Sequence, residues 1–295
     1  MNMPDSWQNE DSLVDHLAAQ LVAGRLGLFL GAGVSKFFDL PDWKTLVERM
    51  SIAAGEGMPP DGFNPIAKAE ALRVKHYKTD PAFNAAVKKA LYDGVTLDFA
   101  MISENRLLAA IGSLVMASRR GSAAKVITLN FDDLLEIYLE FYGFTTAIIR
   151  EGRHWAQNED VIIYHPHGFL PLDHAQESKK IVLGTTSFHD VMTSELWRPI
   201  LEAALRQHTF LYIGLSGEDM HLHSHWTKLK GSHAIVNDRI CYHGVRFITG
   251  SGDDDTTVMT EQWGIHTHKL ASHEDLSGFL FKICQEARRK RISVA

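Results

Sequence analysis

The sequence predicts an α/β protein in which a mainly parallel sheet is covered by helices on both faces. Three observations predict it. Short apolar runs, such as Leu26–Leu30 and residues 210–213, alternate with longer stretches whose apolar residues recur every three or four positions. Several runs are apolar almost throughout, as strands buried on both faces are. Three of them stop abruptly, at Gly31-Ala32-Gly33, at Asn130 and at Gly214-Leu215-Ser216. In open parallel sheets, ligands sit beyond the carboxyl ends of strands.

The elements follow in order. Leu13, Leu17 and Leu21 predict a helix over residues 11–24, with Gly24 as its stop. Leu26–Leu30 is a buried strand entering the turn Gly31-Ala32-Gly33-Val34-Ser35. Asp42 caps a helix bearing Trp43, Leu46, Val47 and Met50. Residues 55–120 open on a cluster of Gly, Pro, Asp and Asn, then read as helices around 66–77, 82–92 and 103–117. This stretch is expected to be a helical insertion, between the first two strands, in one domain spanning 1–295. Residues 125–129 form the second strand, with a helix over 132–142 that Gly143 ends. Further strands are expected at 145–149, 161–164 and 181–183, then a long helix near 189–206 and a strand at 210–213. Residues 233–236, 245–248 and 265–270 are late strands, 251–256 a polar acidic loop, and 273–290 the closing helix.

Bulk properties bound the function. A chain of 295 residues, 45% hydrophobic and 22% charged, is an ordinary globular composition with room for a sizeable core. A net charge of −6 argues against a nucleic-acid-binding surface. The basic run Arg288, Arg289, Lys290 and Arg291 reads as a solvated helix end, where cations suit the dipole. Cys241 and Cys284 supply neither a disulfide framework nor a four-cysteine zinc site. The first eleven residues lack the pattern of a signal peptide, and no apolar run has the length of a membrane span. A cytoplasmic location is therefore expected.

Four constellations carry candidate chemistry. The 31–35 turn lets backbone N–H groups approach a phosphate, although a tight turn with no ligand explains it as well. In Thr128-Leu129-Asn130-Phe131-Asp132-Asp133, Asp132 reads as the start of a helix and Asn130 as a turn residue. His165-Pro166-His167-Gly168 follows a strand and places an imidazole where acid–base work is feasible near neutral pH. Gly214-Leu215-Ser216 offers a hydroxyl to a phosphate or to a helix start. His221, His223 and His225 lack a carboxylate or cysteine to complete a metal site, so no metal is expected. Trp43 and Trp197 read first as core residues.

Taken in sequence, these motifs resemble the sirtuin superfamily. Gly31-Ala32-Gly33-Val34-Ser35, Leu40-Pro41-Asp42-Trp43, Thr128-Leu129-Asn130-Phe131-Asp132, His167-Gly168 and Gly214-Leu215-Ser216 stand in the order of that family's motifs, over about residues 20–280. The resemblance implies a Rossmann-like NAD-binding domain with a smaller inserted module, and NAD as the substrate. It implies NAD contacts at Gly31, Ala32, Gly33, Ser35, Trp43, Gly214 and Ser216. It implies Asn130 beside the nicotinamide ribose, Asp132 against nicotinamide and His167 as the base. Trp43 and Lys44 stand where the family has phenylalanine and arginine, and the zinc cysteines of the deacylases are missing. These departures resemble the prokaryotic sirtuin-like NADases of antiviral defence.

The function so implied is hydrolysis of NAD to nicotinamide and ADP-ribose, as an NAD-depleting effector of abortive infection. Unchecked activity would poison the host. The resemblance therefore implies a gate: a homo-oligomer, or a separate activating subunit such as a HerA-type ATPase, an Argonaute or a nucleotide-sensing protein. Two alternatives remain open. One is a protein deacylase or ADP-ribosyltransferase, the other a non-catalytic sensor of NAD or ADP-ribose.

Overall fold

The computed structural model describes residues 7, 9–116, 121–151, 158–172, 177–215, 242–249 and 264–293. Helix α1 (Glu10–Val22) starts at Asn9, whose side chain accepts the Asp11 and Ser12 N–H groups. Strand β1 (Leu26–Leu30) follows. Before β2 (Lys125–Thr128) come α2 (Trp43–Ala53), α3 (Pro65–His76), α4 (Asp80–Tyr92), α5 (Phe99–Glu104) and α6 (Arg106–Val115). The order continues with α7 (Leu134–Phe141), β3 (Thr146–Ile149), β4 (Val161–Tyr164), α8 (Thr185–Thr193) and α9 (Trp197–Gln207). Then come β5 (Thr209–Ile213), β6 (Gly244–Thr249), β7 (Ile265–Leu270) and α10 (Asp275–Ser293).

The seven strands form one sheet in the order β3-β4-β2-β1-β5-β6-β7, and every pair is parallel. This is the α/β, Rossmann-like architecture. Strand β1 shows why it needs helices on both sides. Leu26, Leu28 and Leu30 enter a core shared with Leu13, Leu17 and Leu21 of α1 and with Phe279, Leu280 and Ile283 of α10. Phe29 points the other way, into a core of Ile127, Phe210, Tyr212 and the α9 residues Leu201 and Leu205. Side chains alternate with period two, so a strand apolar at every position must be covered twice. Each such side chain contributes roughly 1.5–3 kcal/mol by leaving water.

Departures from the expected elements have local causes. Residues 181–183 are buried but are not a strand; they lie beside the His167 turn, where Val182 N–H donates to the His167 carbonyl at 2.7 Å. An apolar run without periodicity does not distinguish these two fates. The helix expected at 189–206 is two, because the Ser194 hydroxyl accepts from the Leu196 and Trp197 N–H groups at 3.2 Å each. The helix expected at 103–117 is also two. Buried Asn105 ends α5 and caps α6, accepting from Leu108 N–H at 2.9 Å. Residues 233–236 and 251–256 lie outside the described residues. The basic run at the end of α10 turns back on α1: Lys290 pairs with Asp15, and Arg291 donates to the Val22 carbonyl at 3.2 Å.

The chain order reverses between β1 and β5, and the turns leaving them touch backbone to backbone. Gly31 N–H donates to the Ile213 carbonyl at 2.9 Å, and Gly33 N–H to the Gly214 carbonyl at 2.8 Å. A Cβ on Gly33 would lie 2.6 Å from Gly214 Cα. Gly214 has φ +72°, and a Cβ there would lie 2.6 Å from Val34 N. Gly33→Ala should therefore lower stability by about 1–3 kcal/mol, read by urea unfolding. Gly278→Ala in α10, whose Cβ would meet nothing within 4 Å, should raise it by up to about 1 kcal/mol.

Candidate functional site

The turn after β1 is built from two short 3-10 segments, Ala32–Val34 and Lys36–Phe38, which meet at Ser35. This geometry buries Ser35 and directs its hydroxyl towards the end of β2. There Ser35 Oγ donates to Asp132 Oδ2 at 2.8 Å and accepts from Asn130 Nδ2 at 3.0 Å. One hydroxyl thus joins three of the residues singled out from sequence, across a separation of 97 positions. Asn130 is further fixed by its own N–H, which donates to Thr128 Oγ1 at 3.2 Å. Most N–H groups of the glycine turn serve the fold, Gly31 and Gly33 bonding to the β5 side and Val34 and Ser35 closing the 3-10 turn; that of Ala32 takes no part in these bonds. The glycines are thus accounted for first by the close approach of two turns, which is also what a phosphate cradle at a sheet reversal requires.

Asp132 does not cap the helix in the ordinary way. Helix α7 begins at Leu134, and Asp132 Oδ1 accepts the Leu134 N–H at 3.3 Å. Neighbouring Asp133 is wholly buried, with Oδ1 accepting from Leu172 N–H at 3.0 Å. Burial pushes the Asp132 carboxyl up to about 6; Glu136 and Asp133 push the same way, against the hydrogen bonds from Ser35 and Leu134. The site therefore holds a carboxylate whose charge changes just below neutral pH. Burial likewise raises the Tyr92 phenol, with the same carboxylates adding to it, and its hydroxyl donates to the Leu170 carbonyl at 2.9 Å.

The turn after β4 is buried from His165 to Leu170. His167 has no exposed surface; its ring meets Trp43 edge-on at 5.6 Å and Phe188 of α8 at 5.3 Å, while Trp43 and Phe188 lie 5.1 Å apart. Gly168 follows with φ +100°, and a Cβ there would press on Ile181 at 3.0 Å. Leu170 N–H donates to the Phe131 carbonyl at 2.8 Å, so the His167 turn runs alongside the Asn130 turn.

Residues 124–265 match the SIR2-like domain family. Asn130, Asp132, His167 and Gly214 all fall inside that span, and the glycine turn after β1 lies upstream of it. Over that span, just under half of the chain, the protein is similar to the sirtuin-like superfamily. Such proteins are typically NAD-dependent enzymes, which makes an NAD-related activity the coarse functional reading. Comparison with curated proteins finds no match.

The sirtuin-like motif residues fall into three groups. Ser35, Asn130 and Asp132 share one hydrogen-bonded network. Gly31, Gly33 and Gly214 make the paired turns. His167 and Trp43 share an aromatic wall. Ser216, His221, His223, His225 and Cys241 lie outside the described residues. Two residues of the site went unnoticed in the sequence, Phe188 and Glu136. Phe188 is one apolar residue among many in a helical stretch. Glu136 did leave a signal, because it stands four residues after Asp132, a spacing that places both on one side of a helix start. Among the described residues, no group of three or more His, Cys, Asp or Glu is placed to hold a metal ion, and no helix is long and apolar enough to cross a membrane. A cleft of about 700 Å³ lined by Asn84, Lys88, Tyr92, Leu172 and Lys179 contains none of the motif residues. The motif network, rather than that cleft, marks the candidate site.

The raised Asp132 carboxyl has a consequence for stability. The folded chain keeps that proton to about pH 6, whereas an unfolded chain releases it near 3.8. The native state thus binds more protons between these values, and its stability falls as pH rises through the window. Asp132→Asn removes this loss. Its stability at pH 7 should exceed wild type by on the order of 2–3 kcal/mol, with a flatter pH dependence between 4 and 6, both measured by denaturant unfolding.

Proposed function

We propose that this chain is an NAD+ glycohydrolase that cleaves the nicotinamide–ribose bond with water, giving nicotinamide and ADP-ribose. The observation that carries the reading is the Ser35 hydroxyl joining Asn130 and Asp132 at the point where the sheet reverses. In this scheme the turn 31–35 holds the pyrophosphate together with Gly214 and Ser216. Trp43 lines the nicotinamide end. Asn130 orients the ribose hydroxyls and the attacking water, and Asp132 holds the departing carboxamide. Water oxygen bonds to the anomeric carbon as the carbon–nitrogen bond breaks. The electron pair of that bond leaves with nicotinamide, neutralising its ring, and His167 takes the proton from water. Positive charge develops on the ribose, as in other glycoside cleavage, and the neighbouring carboxylates favour it. Because Trp43 and Phe188 cover His167, we take substrate entry to displace those rings.

The two cysteines of the chain cannot supply a four-cysteine zinc module, which sets it apart from zinc-bearing deacylases. We place it among NAD-depleting effectors of prokaryotic antiphage defence, in the cytoplasm and held in check until activated. We read it as one domain in which the helices between residues 55 and 120 are an insertion. Those helices, or the acidic 251–256 segment, would dock a homo-oligomeric neighbour or a separate activating subunit: a HerA-type ATPase, an Argonaute or a nucleotide-sensing protein.

Asn130→Ala and His167→Ala should each lower nicotinamide release by at least about a hundredfold with an unchanged circular-dichroism spectrum. Purified protein is assayed alone and in phage-infected extract, without acylated peptide. Full NAD cleavage by both variants would sink the assignment. Cleavage that requires the peptide would point to a deacylase.

A further inference from the structure

Ser35 holds the side chain of Asn130, and a second residue holds its backbone. His165 Nδ1 lies 3.2 Å from the Asn130 carbonyl oxygen, and its Nε2 lies 2.7 Å from Glu136 Oε1. Neither side chain is reachable by solvent, at 0% and 1% exposure. A carbonyl oxygen only accepts, so Nδ1 carries a hydrogen. With that hydrogen on Nδ1, one proton lies between Nε2 and Oε1, and Glu136 holds the ring from its other side. The Phe169 ring meets the imidazole at 4.7 Å and stops it from rotating freely. The His165 backbone completes the junction. Its N–H donates to the Ile149 carbonyl at 2.8 Å, and its carbonyl accepts from Gly168 N–H at 3.0 Å. One residue thus ties the end of β3, helix α7, the Asn130 turn and the turn that carries His167.

We propose that His165, oriented by Glu136, is a positioning residue for NAD cleavage: it fixes the Asn130 backbone and the His167 turn relative to each other without touching substrate. The proposal rests on the NAD-cleavage reading and assigns that site a support that the motif residues alone do not supply. A network whose members are all satisfied rigidifies what it holds, which is what a site requiring sub-ångström placement needs.

Asparagine and glutamine separate this role from a merely structural one. In His165→Asn the amide N–H falls near the place of Nδ1; in His165→Gln it falls near that of Nε2. Steady-state kinetics on folded protein, with NAD affinity measured by calorimetry, should show kcat down at least about tenfold in His165→Gln with KM within about threefold of wild type. His165→Asn should recover most of that loss. Glu136→Gln, whose amide can hydrogen-bond Nε2, should be far milder than Glu136→Ala. Amide hydrogen exchange supplies a readout that does not depend on turnover: residues 129–134 should exchange faster in His165→Gln and return towards wild type in His165→Asn. Wild-type protein that releases no nicotinamide in any condition overturns the NAD-cleavage reading and this role with it, while the exchange pattern still reports whether His165 orders the loop. Equal kcat in all variants, with only the melting temperature lowered, overturns the positioning role and leaves the cleavage reading intact. Equal losses in His165→Asn and His165→Gln overturn it as well.

Discussion

Two glycine turns pressed together at the carboxyl ends of β1 and β5 set the terms for the rest of the molecule. Gly33 and Gly214 meet with no side chain between them, and the hydrogen bond from Gly33 to the Gly214 carbonyl locks that approach. The chain leaving β1 then has one way to go, through a double 3-10 turn that sinks Ser35 below the surface. Ser35 in turn reaches across to the strand on the other side and orders Asn130 and Asp132. A backbone constraint at one sheet junction is thereby converted into side-chain geometry at the next.

That geometry is costly electrostatically. Asp132, Asp133 and Glu136 are all buried within a few residues of one another, and burying carboxylates disfavours their charged form. The fold answers with a hydroxyl donor, a backbone donor and an imidazole partner: Ser35 on Asp132, Leu172 N–H on Asp133, His165 beside Glu136. The residual penalty at Asp132 remains in the shape of a carboxyl that titrates near pH 6. Natural sites commonly keep such destabilised groups where chemistry requires them.

Much of this was legible in the sequence, for a physical reason. Strands that are apolar throughout announce a doubly covered parallel sheet, and Leu26–Leu30 and Val161–Tyr164 stand where they were read, as does the more polar Ile265–Leu270. Asp42 caps α2 as its residue type requires, with Thr45 N–H at 3.0 Å. What escaped was decided by tertiary contact or by single local hydrogen bonds. Residues 181–183 have the composition of a strand but are packed against a turn. The breaks at Ser194 and Asn105 depend on single side chains outcompeting helix continuation. His165 and His167 are two residues apart in one motif, and only the packing shows that the first faces Glu136 while the second faces Trp43 and Phe188.

The sheet order has a consequence in time as well as in space. Ser35, Asn130, His165 and Gly214 come from four separate stretches of chain, and the contact that anchors Ser35 uses a turn made after residue 213. Contacts so distant in sequence form late in folding, and a nascent chain acquires them only once the distal partner has left the ribosome. During synthesis β1 therefore waits beside an empty position that β5 will fill. A site assembled in this way is incomplete until residue 214 of the 295 has been made, an order of events imposed by topology alone.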